Sequence, residues 1–172
     1  MSKFSRSKGQ RGERTVAKLL QERLNCDVSR ELSASRDGGC DIKIQLGDIT
    51  YLIEVKFHTK VSQSIVGGWW DQAIEQCVLQ EATYMNAVPI LIYKQTHWKQ
   101  WECRLPWYHL LWQLGRTGFN SKLYSVKEQH TTVPIDILTN IMNSGKQQTI
   151  SKGTITTTDN NDIDHTTLGV KP

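Results

Sequence analysis

Read for apolar spacing, the chain opens with a helix over residues 10–24, in which Val16, Ala17, Leu20 and Leu24 form a stripe at helical intervals. Residues 27–32 read as a strand. Residues 40–46 alternate cleanly, with Ile42, Ile44 and Leu46 on one face and Asp41, Lys43 and Gln45 on the other. Gly47-Asp48 then makes a tight turn into Tyr51-Leu52-Ile53-Glu54-Val55-Lys56-Phe57, so an antiparallel hairpin is expected. After a loop over residues 58–68, a second helix is expected at 69–84. Trp70, Ile74, Cys77 and Val78 form its core stripe, and Gln72, Glu75 and Gln76 lie off it. Residues 88–93 are an apolar run of strand length, and residues 100–105 suggest another strand. Short helices are expected at 106–112 and 134–142, the second with proline in its first turn. This order predicts one α/β (α+β) domain around a mixed sheet.

Two polar interruptions of this pattern suggest chemistry. Glu54 and Lys56 share one face of an otherwise apolar strand, with Tyr51, Ile53, Val55 and Phe57 on the other. Charges in so hydrophobic a strand carry a desolvation cost unless a site uses them; the alternative is an ion pair on a wet strand face. The hairpin brings Asp41, near the start of one strand, close to Glu54 and Lys56, near the end of the next. Two carboxylates and an ammonium can hold a divalent metal against a phosphodiester. Glu13 falls on the apolar stripe of the first helix, either as favourable charge near a helix N-terminus or as a further carboxylate aimed at the same place.

Composition and charge narrow the setting. The 172 residues carry a formal net charge of +4, compatible with nucleic acid as a partner. Lys3, Arg6, Lys8, Arg11 and Arg14 crowd the N-terminus against Glu13 alone, the pattern of a basic arm suited to phosphate contacts. Cys26, Cys40, Cys77 and Cys103 are spread singly, so reduced thiols are expected and a zinc site is not. There is no membrane-length apolar stretch and no apolar signal core, so an intracellular, cytoplasmic protein with no membrane partner is expected. From residue 144 the chain is rich in Thr, Asn, Asp, Gly and Lys, the composition of a disordered tail. The expected organisation is a basic arm over 1–8, a catalytic domain over 9–143 and a polar tail over 144–172. Six tryptophans between Trp69 and Trp112 suit core packing; Trp69, Trp98 and Trp101 are also candidates for base stacking or a subunit interface.

Glu13, Asp41 and Glu54-Val55-Lys56, in this order, resemble the signature of the PD-(D/E)xK nucleases, with Cys40 where the family name has proline. Among the branches, the chain most resembles the archaeal-type Holliday junction resolvases. The matching features are a helix start with Gly9-Gln10-Arg11-Gly12-Glu13-Arg14, a serine-bearing loop from Ser33 to Gly39, and Gln72-Ala73 in the next helix. The resemblance covers about residues 7–110. It implies the restriction-endonuclease-like fold and a structure-selective DNA endonuclease that uses Mg²⁺, with Mn²⁺ as a substitute.

On that resemblance Asp41, Glu54, the Val55 carbonyl and Glu13 are the metal ligands, and Glu13, Asp41, Glu54, Lys56 and Gln72 the catalytic set. Lys8, Arg11, Arg14, Ser33, Ser35, Arg36, His58 and Lys60 are the candidate DNA contacts. A four-way junction has two symmetric cut sites, so a homodimer is expected. Two competing readings stay open: a relative that cuts other DNA in restriction, repair or degradation, and a DNA-binding module without activity.

Overall fold

The computed structural model describes residues 3–30, 39–80, 86–113 and 129–152, with side chains undescribed at 3–6, 112–113 and 145–152. In chain order the elements are α1 (Lys3–Leu24), β1 (Ser29–Arg30), β2 (Ile42–Leu46), β3 (Ile49–His58), α2 (Gln63–Gln80), β4 (Ala87–Gln95), β5 (Glu102–Pro106), α3 (Trp107–Gln113), β6 (His130–Pro134) and α4 (Ile135–Lys152). The described strands lie side by side in sequence order in one sheet. Only β3 and β4 run parallel, and α2 is the crossover such a pair needs; the other neighbours are antiparallel. This is the expected α+β domain with a mixed sheet between helices.

The expected hairpin forms at the expected turn. Leu46 pairs with Ile49, and Gly47 takes the left-handed φ of 58° that lets two residues reverse the chain. One face of β3 carries Ile49, Tyr51, Ile53, Val55 and Phe57 into the main core with Val16, Leu20 and Leu24 of α1 and Leu138, Ile141 and Met142 of α4. The other face, Thr50, Leu52 and Glu54, is buried as well. A central strand covered on both sides has no wet face, which explains its continuous apolar run. At the end of α1, Asn25 takes a left-handed φ of 45° and its amide closes on the Gln21 carbonyl at 3.1 Å.

Several boundaries differ from the sequence expectation. The basic segment expected as an arm is helical from Lys3, so Lys8 rides on α1. The second helix begins at Gln63, inside the expected loop, and its burial is rotated: Val66, Trp70, Ala73, Gln76 and Cys77 are buried. Gln76, read as off the stripe, is covered; Val78, read as core, is 61 % exposed. Helix α4 runs to Lys152, eight residues past the start of the expected tail at residue 144; residues 153–172 lie outside the described residues. The apolar stripe that marks this helix ends at Met142 while its backbone continues. Strand β6 was not anticipated. None of the four cysteines forms a disulfide, and no described helix is long and apolar enough to cross a membrane.

Candidate active site

Continuing the β2–β3 register places Asp41 opposite Glu54. Ile42 pairs with Ile53, and the Asp41 amide donates to the Ile53 carbonyl at 3.0 Å. The Asp41 Oδ2 then accepts from the Val55 amide at 2.8 Å, which fixes the carboxylate across the hairpin. On the same face, Glu54 is only 3 % exposed. Its Oε1 accepts from Lys56 Nζ and, at 3.0 Å, from Nε2 of Gln72 on α2. Its Oε2 is buried without a hydrogen-bond partner. A carboxylate oxygen in that condition carries an uncompensated desolvation cost.

The electrostatics match this geometry. The Asp41 carboxyl is pushed up to about 7, first by burial and then by the Glu54 carboxylate. The Val55 amide works the other way; Glu13 adds to the rise and Lys56 opposes it. Glu13 therefore lies within electrostatic reach of Asp41. Its Oε2 accepts from Arg30 Nη2 at 2.8 Å, with both side chains about three-quarters covered. Arg30 is the residue that the sequence reading passed over. The available signal was an arginine in a short segment read as a strand directly before the loop. Pairing with β2 turns it toward Glu13, and its Nε is buried without a partner.

Helix α1 approaches this strand closely. A methyl group placed on Gly12 would stand 2.9 Å from the Phe57 β-carbon, so only glycine lets Glu13 come this near the hairpin. Lys8, one turn earlier, donates to Thr59 Oγ1 at 3.1 Å and Thr96 Oγ1 at 2.7 Å. His58 and Lys60 are exposed at the end of β3. The His58 ring stacks on Trp69 with centroids 4.6 Å apart, and its pKa is lowered by partial burial and then by Lys56 and Lys8. Arg11 and Arg14 are exposed on α1. Trp101 is buried against Phe57, so it belongs to the core and is not free to stack on a base. Ser33, Ser35 and Arg36 lie outside the described residues.

Among the described residues, no three His, Cys, Asp or Glu side chains converge into a ready-made ion cage. The donor set does fit a hard divalent cation such as Mg²⁺, which keeps several waters and needs only one or two carboxylates alongside substrate oxygens. The unpartnered Glu54 oxygen and the raised Asp41 carboxyl are the two features a cation there would relieve.

No curated protein matches the chain. Among solved structures, it is similar to that of Hjc, a Holliday junction resolvase from the archaeal hyperthermophile Archaeoglobus fulgidus. The identity is 16 %, with 78 % of this chain and 98 % of that chain covered and a TM-score of 0.43. The family described as "Phage putative PDDEXK endonuclease" matches residues 4–167, nearly the whole chain, and the chain belongs to that family.

Proposed function

We propose that the protein is a divalent-metal-dependent DNA endonuclease acting on branched DNA, most specifically a Holliday junction resolvase that works as a twofold dimer. The observation that carries the catalytic reading is Glu54: a carboxylate buried in a central strand, with Lys56 and Gln72 on one oxygen and the other oxygen free, beside an Asp41 held by the Val55 amide. Asp41, Glu54 and the Val55 carbonyl would hold Mg²⁺ or Mn²⁺, with Glu13 as a further ligand or water contact once Arg30 releases it. The cation, when bound, supplies an activated water and offsets charge on the phosphate oxygens.

The chain's own side chains divide the remaining work. Lys56 is a compact ammonium beside the scissile phosphate position. It orients the attacking water and stabilises the charge that develops as the phosphorus–oxygen bond breaks. Gln72 sets the Glu54 carboxylate in place and restricts its rotation, so Oε2 stays directed at the site. The buried setting excludes bulk water and keeps these interactions strong. The preference for a junction rests on the resemblance of the α1 start, Gly9 to Arg14, and of Gln72-Ala73 to the archaeal-type resolvases.

Labelled four-way junction, flap and linear duplex, incubated with the protein in Mg²⁺ and then in chelator, test the proposal. Paired symmetric nicks on the junction alone are expected. Equal cutting of the duplex would replace the resolvase reading with that of a duplex nuclease. Binding without cutting in Mg²⁺ or Mn²⁺ would leave a DNA-binding module. Glu54→Ala should abolish cleavage and leave DNA binding intact or tighter; surviving cleavage would move the site elsewhere.

A further inference from the structure

We infer that the β4–β5 hairpin is a docking surface for a duplex arm of the DNA substrate, holding backbone phosphates that flank the bond cut at Glu54 and Lys56; this rests on the DNA-endonuclease reading above. The hairpin continues the strand beside β3: His58 pairs with Gln95, and the chain then turns through residues 96–101 into β5. Its conformation is fixed before any ligand arrives. The Thr96 amide donates to the His58 carbonyl at 2.9 Å, and the Trp98 amide to the Gln95 carbonyl at 3.0 Å. Gln95 Oε1 accepts from the Val61 amide at 3.0 Å, tying the hairpin to the exit of β3. Lys94 Nζ crosses the turn to the Lys99 carbonyl at 3.1 Å. Lys8 of α1 reaches Thr96 and Thr59 from the third side.

The charge on this rim is predominantly positive, with Glu102 at the start of β5 the acidic residue of the hairpin. Residues 55–70 and 86–101 contain no aspartate or glutamate; they carry Lys56, Lys60, Lys94 and Lys99, with His58 and His97 among them. Freely solvated lysines scattered over a surface would mean little. Here Lys8 and Lys94 are held by the hydrogen bonds they donate, Lys8 to Thr59 and Thr96 and Lys94 to the Lys99 carbonyl across the turn, and each lies over an aromatic ring, Phe57 at 4.8 Å and Trp101 at 5.8 Å. The ammonium groups are therefore held in place, with donors to spare, and less ordering is left for binding to impose.

The dimensions suit a duplex backbone. Neighbouring strands stand about 4.8 Å apart, so β5 lies roughly 10 Å from β3 across the sheet. A DNA strand carries one phosphate per about 3.4 Å of helix axis while winding around that axis, so a rim of this width faces roughly one or two phosphates beyond the one at Lys56. His97, Lys99 and Gln100, exposed at the tip, are the outermost contacts. Contacts of this kind read no bases. They set the orientation of the arm entering the site.

The test is the salt dependence of binding by the full chain to a labelled four-way junction and to a linear duplex, in chelator. Replacing Lys94 and Lys99 together by glutamine should lower the slope of log K against log salt by about 2. With Mg²⁺ present, KM should rise about tenfold while kcat at saturating DNA stays unchanged. Lys18→Gln, which removes a charge from an exposed α1 lysine paired with Glu22, is the control and should change neither quantity beyond a general charge effect. The single reversal Lys99→Glu, at an exposed position, keeps the test sound if the double variant folds poorly; it should weaken binding further than Lys99→Gln. Unchanged slope and KM in well-folded hairpin variants would overturn the inference while wild-type cleavage leaves the nuclease reading standing. Absence of DNA binding and cleavage by the wild type would overturn both.

Discussion

Replacing Asp41 by asparagine is expected to stabilise the metal-free protein at pH 8 and to leave it almost unchanged at pH 4. The carboxyl titrates at about 7 in the folded protein, against 3.8 for an ordinary aspartate, because burial and the Glu54 carboxylate oppose its charge. A raised carboxyl means that the folded state binds the proton more tightly than the unfolded chain. Between pH 3.8 and 7 the unfolded chain has already lost that proton and the folded state still holds it, so stability falls as pH rises and the loss is complete above 7. At 1.36 kcal/mol per pH unit the ceiling is about 4 kcal/mol. Asparagine keeps an oxygen to accept from the Val55 amide and brings no charge near Glu54. Half of the ceiling would already move the melting temperature by about 4–8 °C in a chain of this size.

The assay is thermal and urea unfolding of both proteins in chelator at pH 4, 6 and 8, read as the difference between them. The wild-type curve alone is a poor readout because His109 works in the opposite direction. Buried beside the Tyr51 hydroxyl, at 3.1 Å from it, His109 has its pKa lowered to about 4. A lowered histidine favours the folded state only while neutral, so its contribution is lost as pH falls from 6.5 toward 4. The two effects oppose each other between pH 4 and 7, and the difference between the wild type and the Asp41→Asn variant isolates the carboxylate. An increment of equal size at every pH, or a less stable variant at pH 8, would refute the electrostatic account of the site.

Two further substitutions test how the site is held. Gly12→Ala forces a β-carbon to within 2.9 Å of the Phe57 β-carbon, so α1 must shift from β3; urea unfolding should show a loss of about 1–3 kcal/mol, and cleavage should fall with it because Glu13 moves too. Gln72→Ala removes the α2 donor from Glu54 Oε1 and should reduce cleavage by about 10- to 100-fold while the DNA dissociation constant stays the same; weakened DNA binding would instead make Gln72 a substrate contact.

What the sequence made legible, and what it hid, follows from the range of the interactions involved. The β2–β3 hairpin was legible because its determinants are local: clean alternation before, and an apolar run of strand length after, a two-residue turn with one glycine. That turn alone fixes which residues face Asp41, so the acidic pair and lysine could be placed together before any fold was known. Glu13 was legible for a related reason, since a carboxylate on an apolar stripe must meet whatever that stripe packs against. The phase of α2 was not. Ile65, Val78 and Leu79 are exposed apolar residues on a helix that also buries Val66, Trp70 and Cys77, so the apolar positions surround the helix and do not mark one side. Only packing against Leu91 and Tyr93 of β4 selects the face that also directs Gln72 at Glu54. Strand β6 was hidden because His130-Thr131-Thr132-Val133-Pro134 is a half-exposed edge strand ending in proline, with little apolar signal to read. Arg30 shows the same limit at the site itself. A cation in a two-residue strand has no pattern of its own; its role is set by Glu13, which comes from another element and meets it only when α1 lies on the sheet. In this protein the sequence locates the groups of the candidate site, and tertiary packing decides which neighbours hold them in position.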